Sequence, residues 1–93
     1  MTTLPFHLRN EHLFLETAGG LWLFDTGAPR SFGPTLTLAG EQFRLSSSYL
    51  GLTADTLSRF VGVECIGVLG ADVLGRFDFV LDLREGKATT STD

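Results

Sequence analysis

Apolar and polar positions alternate with period two along much of the chain. Leu4-Pro5-Phe6-His7-Leu8-Arg9 alternates, Asn10-Glu11 supplies a turn, and His12-Leu13-Phe14-Leu15-Glu16-Thr17 is again rich in strand formers, so this stretch predicts a β-hairpin. Thr35-Leu36-Thr37-Leu38 and Gln42-Phe43-Arg44-Leu45, joined by Ala39-Gly40-Glu41, predict a second one. Between them Ala18-Gly19-Gly20 punctuates the chain before Leu21-Trp22-Leu23-Phe24. That apolar run is too short for a helix and suits a strand buried on both faces, with Trp22 turned into the core. It stops at Asp25-Thr26-Gly27-Ala28-Pro29. Gly27 opens backbone angles closed to other residues, and Pro29 cannot continue a central strand, so a sharp turn carrying a carboxylate is predicted.

The second half is less regular. Ser46-Ser47-Ser48 loosens the chain, and Thr53 is placed to cap a helix of two turns at most with Leu57 and Phe60 on its inner face. Val61 to Leu69 reads as β. Ala71-Asp72-Val73-Leu74, between Gly70 and Gly75, predicts one helical turn, and Phe77 to Leu83 predicts a strand. Glu85-Gly86 turns into a last strand beginning at Lys87, and Thr89-Thr90-Ser91-Thr92 reads as an interface strand or a frayed tail. Roughly seven short strands, with turn signals every ten or so residues and one or two helical turns, predict a small all-β domain. Ninety-three residues allow one domain, 1–93, near the lower end of what a single core can hold together.

Composition narrows the classes of function. With 43% hydrophobic residues, eight Phe and 19% charged residues, the chain has enough apolar material to fold and too little charge for a disordered tail. Seven basic residues stand singly against eleven acidic ones, for a net charge of −4, which argues against nucleic acid or an anionic membrane as partner. No apolar run approaches the ~18 residues that cross a bilayer, and the first residues have neither a basic start nor an apolar stretch, so a cytoplasmic location is expected. Cys65 has no partner for an internal disulfide, and its neighbours Val63 and Ile66 mark it as a buried small hydrophobe. His7 and His12 lack the Cys or carboxylate spacing of a metal site, so neither a metal nor a cofactor is expected.

The candidate chemistry lies in the turn after the apolar run. A carboxylate at the end of a buried strand is costly unless hydrogen bonds or a partner compensate it, and chains tolerate that cost mainly at functional sites. Here Thr26 brings a hydroxyl, and the Gly27 amide can approach the Asp25 carboxylate without side-chain interference. Asp-Thr-Gly alone is weak, since average residue usage yields it in on the order of 2% of chains this long.

Its context is more specific. The apolar run before Asp25, Ala28 and Ser31 after it, then Ile66-Gly67-Val68-Leu69-Gly70-Ala71-Asp72-Val73-Leu74 and Phe77 to Leu83, together resemble the retropepsin-like aspartic proteases. Phe24 to Ala28 match that family's first motif, and Val68-Leu69-Gly70 with Ala71 to Leu74 match its second. The likeness runs from about Pro5 to Lys87. It implies a retropepsin-like acid protease fold in which Val68, Leu69 and Gly70 pass through the loop bearing Asp25 and pack behind it. It also implies Thr26 bridging two protomers. The chain departs from the retroviral pattern in two places. Only 45 positions separate Asp25 from Gly70, so the flap region is shortened, with Ala39-Gly40-Glu41 or Ser46-Ser47-Ser48-Tyr49 in its place. Pro29 and Ala71 stand where many members pair an Asp with an Arg, and Arg30 with Asp72 is the substitute pair one residue further along.

Hydrolysis by this route needs one carboxylate as general base toward water and one carboxylic acid to protonate the carbonyl. Asp55, Asp72, Asp78 and Asp82 lie in no second Asp-Thr/Ser-Gly turn and read as structural, so the chain brings one catalytic residue, Asp25, supported by Thr26, Gly27 and Ala28. A two-fold axis supplies the second, and two carboxylates that close share a proton, which predicts a homodimeric aspartic endopeptidase with a mildly acidic optimum acting on extended peptide or unfolded protein. The alternative is a catalytically silent dimeric β module of the same fold, for peptide binding or assembly.

Overall fold

The computed structural model describes residues 1–91 of the 93; Thr92, the last residue of the Thr-rich end, lies outside them. The described chain is all-β apart from two short helices. In order its elements are β1 (Thr2–Arg9), β2 (His12–Thr17), β3 (Gly20–Phe24), β4 (Leu36–Leu38), β5 (Glu41–Phe43), β6 (Ser48–Tyr49), β7 (Leu52–Thr53), α1 (Ala54–Val61), β8 (Gly67–Leu69), α2 (Ala71–Leu74), β9 (Asp78–Asp82) and β10 (Lys87–Ser91). Six strands form one mixed sheet in the order β8-β3-β2-β1-β10-β9, and β4-β5 and β6-β7 are separate hairpins. Within the six-stranded sheet the β3–β8 pair is parallel and the others antiparallel.

Turn chemistry sets the hairpins. Asn10-Glu11, Ala39-Gly40 and Leu50-Gly51 each link two antiparallel strands with positive φ at both residues, the mirror-image turn whose twist suits a two-residue hairpin. The Asn10 side chain serves twice, since its amide also donates to the Val61 carbonyl at 3.1 Å and so holds the end of α1 against the first hairpin.

Period two divides the sheet's side chains between two cores. Phe6, Leu15, Trp22 and Leu69 face one side, under the β4-β5 hairpin and α2; Phe14, Leu23 and Val68 face the other, under α1. β3 feeds both, as its apolar run predicts. Thr53 caps α1 by accepting the Thr56 N–H at 3.3 Å, as expected. The buried face of α1 is Leu57 and Val61, four apart, whereas Phe60 is 85% exposed and does not pair with Leu57 as the spacing predicted. The β reading of Val61 to Leu69 is likewise corrected: Val61 ends the helix, and only Gly67–Leu69 is a strand.

β10 lies inside the sheet, between β1 and β9, with Ala88 and Thr90 buried, so the described part of the Thr-rich end is an ordered strand and not a frayed tail. Removing a large side chain from this double core leaves a cavity on a closely packed sheet. Phe14→Ala is expected to cost about 3–5 kcal/mol, read as a lowered urea midpoint with an unchanged slope.

Candidate active site

The segment after β3 wraps around β8. On one side β3 runs parallel to β8, with Trp22 opposite Gly67 and Phe24 opposite Leu69. On the other side Phe32 bridges Val68 in the opposite sense, exchanging both backbone hydrogen bonds at 3.1 and 2.9 Å. β8 is therefore gripped before and after Asp25 by a single stretch of chain, and Gly67 is what lets it in. A Cβ on Gly67 would lie 2.7 Å from the Trp22 ring and would also strike the Phe32 carbonyl.

This threading places the turn. The Asp25 N–H donates to the Leu69 carbonyl at 3.0 Å, the Ala28 N–H to the Asp25 carbonyl at 3.2 Å, and the Ala71 N–H to the Ala28 carbonyl at 2.7 Å. The Gly27 N–H donates to Asp25 Oδ1 at 2.9 Å, the amide approach expected from the tripeptide. Asp25 is half-buried, Thr26 and Gly27 are exposed, Ala28 packs against the second core, and Val68, Leu69 and Gly70 are buried behind them. The turn thus presents one carboxylate and one hydroxyl outward from a rigid base.

Ser31 and Asp72 lock that base. The Ser31 hydroxyl donates to Asp72 Oδ1 at 2.6 Å and accepts the Gly70 N–H at 2.7 Å, while the Ser31 N–H donates to the same carboxylate at 2.9 Å. Among the described residues the ion pairs are His7–Glu16 and Arg76–Glu41, so the substitute pair of Arg30 with Asp72 does not form; Ser31 takes its place. Partial burial works against the charge on Asp72, but the Ser31 hydroxyl and N–H, the Val73 N–H and the field of Arg30 outweigh it and hold the carboxyl below its ordinary range. A carboxyl held low adds stability above its unfolded value, near pH 4, and loses it as pH falls through the folded value. Asp72→Asn is therefore expected to be less stable than the wild type at pH 7, with the gap closing below about pH 4. Urea melts at both pH values check this.

Other readings find their places. Cys65 is buried, with its N–H donating to Ser58 Oγ at 3.0 Å, and burial pushes its thiol up and away from reactivity. His7 is satisfied by Glu16 at 2.8 Å. Tyr49, in the stretch that stands in place of the flap, is half-buried against the second core. The Leu50-Gly51 hairpin was missed, because its signal is a glycine after an ordinary apolar residue rather than an Asn-Gly pair. Sequence reading also missed a surface cleft of about 460 Å³ lined by Arg30, Ser31, Arg44, Ser48, Tyr49 and Asp72, among others.

Compared with known proteins, the chain matches no family model, no curated protein and no solved structure. No helix among the described residues is long and apolar enough to cross a membrane.

Proposed function

We propose that this chain is one half of an aspartic endopeptidase, active as a symmetric homodimer in which each protomer gives Asp25 to a shared dyad. One observation carries the reading: β8 is threaded through the loop that bears Asp25, so that buried Val68, Leu69 and Gly70 brace an Asp-Thr-Gly turn with a half-buried Asp25 and exposed Thr26 and Gly27. A half-buried carboxylate so held suits a site completed by a second copy about a two-fold axis.

In that site one Asp25 carboxylate takes a proton from water as the water oxygen attacks the peptide carbonyl carbon, and the other, as the acid, protonates the carbonyl oxygen. Collapse of the tetrahedral species breaks the C–N bond as the Asp25 that took the water proton passes it to the amine nitrogen, while the other Asp25 takes back a proton from the diol hydroxyl that becomes the new carbonyl oxygen. Substrate lies extended, since that conformation exposes its backbone groups to both protomers. No cofactor enters this chemistry, and a single unpaired cysteine fits a reducing compartment such as the cytoplasm.

The shortness of the β6-β7 hairpin, two residues on each side, favours a second reading as a silent dimeric module, since it gives little cover for a bound peptide. Digestion of a denatured protein or a peptide library across pH 4 to 7, by wild type and Asp25→Ala, separates the two. Equal cleavage by both, insensitive to a statine-type transition-state mimic, would end the protease reading; inhibited cleavage by the wild type alone supports it.

A further inference from the structure

Two arginines line one cleft beside the candidate turn. Phe32 bridges Ser46 in the parallel sense, and the Gly33 N–H donates to the Ser46 carbonyl at 2.8 Å. Two residues back along each segment stand Arg30 and Arg44, and both line the 460 Å³ cleft with Ser31, Ser46, Ser48 and Tyr49. Neither guanidinium belongs to an ion pair among the described residues. The cleft's one carboxylate, Asp72, already accepts three N–H or O–H donors through Oδ1, from the Ser31 backbone, the Ser31 hydroxyl and the Val73 backbone. Two arginines against the one carboxylate leave the cleft an excess of one positive charge, which a bound anion would offset. The cleft is therefore cationic on a chain whose net charge is −4, and the hydroxyls of Ser46, Ser48 and Tyr49 can complete the hydrogen bonding of a bound carboxylate.

We propose that this cleft is a specificity subsite that takes the carboxylate of a Glu or Asp side chain in the substrate peptide; the inference rests on the endopeptidase reading. Arg30 stands five residues beyond Asp25 on one continuous loop, a reach of at most about 17 Å. An extended peptide advances about 3.3 Å per residue, so the acidic residue lies within about five positions of the bond that is cut. The planar fork of arginine suits a carboxylate better than a neutral amide of the same shape, which makes Glu against Gln the decisive comparison.

The test uses two peptides, acetylated and amidated at their ends and identical except for a central Glu or Gln, added to the isotope-labelled protein and followed by backbone amide shifts. Blocking the ends removes the terminal carboxylate as a source of the anion. The Glu peptide is expected to move the amides of Arg30, Ser31, Arg44, Ser46 and Tyr49 and to bind about three- to tenfold more tightly than the Gln peptide. Arg30→Gln combined with Arg44→Gln should erase that difference while leaving the weaker Gln-peptide binding in place. Equal binding of the two peptides, shifts confined to another surface, or no shift up to the solubility limit would each overturn the proposal. Inorganic phosphate that moves the same amides as strongly as the Glu peptide would also overturn it, by making the cleft a general anion site. Cleavage-site mapping keeps the two readings apart. Glu-selective binding without cleavage upholds the carboxylate site but sinks the protease and with it the site's role in cleavage, whereas cleavage with no acidic preference overturns the proposal and leaves the protease standing.

Discussion

Asp25→Asn is expected to lower peptide cleavage by about 10³-fold or more while leaving the fold and the dimer intact. The loss is large because, in the proposed mechanism, the same residue would serve as base in one protomer and acid in the other, and a positioned acid or base contributes typically about 10²–10⁴-fold. The fold is spared because the side chain makes one local hydrogen bond, from the Gly27 N–H, which an Asn Oδ1 accepts equally well. The bonds that hold the turn to β8 are backbone bonds, from Asp25 to Leu69 and from Ala28 to Asp25, and survive the change. Removing like charges from the two-fold axis should leave thermal stability equal or raise it. Mixing gives the sharper test. At equal amounts of wild type and Asn variant, random pairing leaves about a quarter of dimers with both carboxylates, so activity falls to about a quarter of the undiluted value if the site is shared and to about half if each chain works alone. Initial rates across the mixing series, with a thermal melt of each sample, decide between these outcomes. Wild-type rates from the pure Asn variant would remove Asp25 from the mechanism.

Much of this architecture is legible locally, and the rest depends on contacts between distant residues. Leu4, Phe6 and Leu8 announce β1 by alternation, and Leu36 and Leu38 announce β4, because a strand half-buried on one face must repeat every second residue. The run Leu21 to Phe24 announces a strand feeding two cores, and it does so with Trp22 on one side and Leu23 on the other. Local pattern fails where tertiary packing chooses between equivalent readings. Leu57 offers both Phe60 and Val61 as companions on a helix face, and the second core takes Val61. The candidate turn was legible as a motif, but its lock was not, because Ser31 and Asp72 are 41 residues apart and meet only once α2 docks behind the loop. The cationic cleft shows the same limit from the side of charge. Arg30 and Arg44 stand as single basic residues in the chain, and only the fold brings both to the lining of one cleft.

Gly70→Ala should damage both stability and activity, and the geometry separates the two effects. Gly70 has φ −104° and ψ −173°, an extended conformation open to any residue, so the constraint is space and not backbone freedom. A Cβ there would stand 2.6 Å from the Ala28 carbonyl oxygen and 2.9 Å from the Arg30 backbone, neither of which can rotate aside like a side chain. Relief requires the loop from Ala28 to Arg30 to move away from β8. That strains the Ala71–Ala28 bond and the grip of Ser31 on Gly70, and through the Ala28 N–H it shifts Asp25. The expected cost is about 3 kcal/mol, at the upper end for overpacking, with cleavage lost by about 10²-fold even where the protein remains folded, since displacements near 1 Å have that effect on positioned groups. Gly40→Ala is the matched control: its φ of +83° strains an Ala by about 1–2 kcal/mol, but nothing lies within 4 Å of the new Cβ, so activity per folded molecule should not change. Should Gly70→Ala fail to fold, Ser31→Ala removes the lock without the clash and is expected to lower activity by more than its loss of stability explains. Urea denaturation paired with cleavage rates well below the melting temperature measures both. Wild-type rates from folded Gly70→Ala and Ser31→Ala alike would mean that the brace behind Asp25 has no part in positioning it.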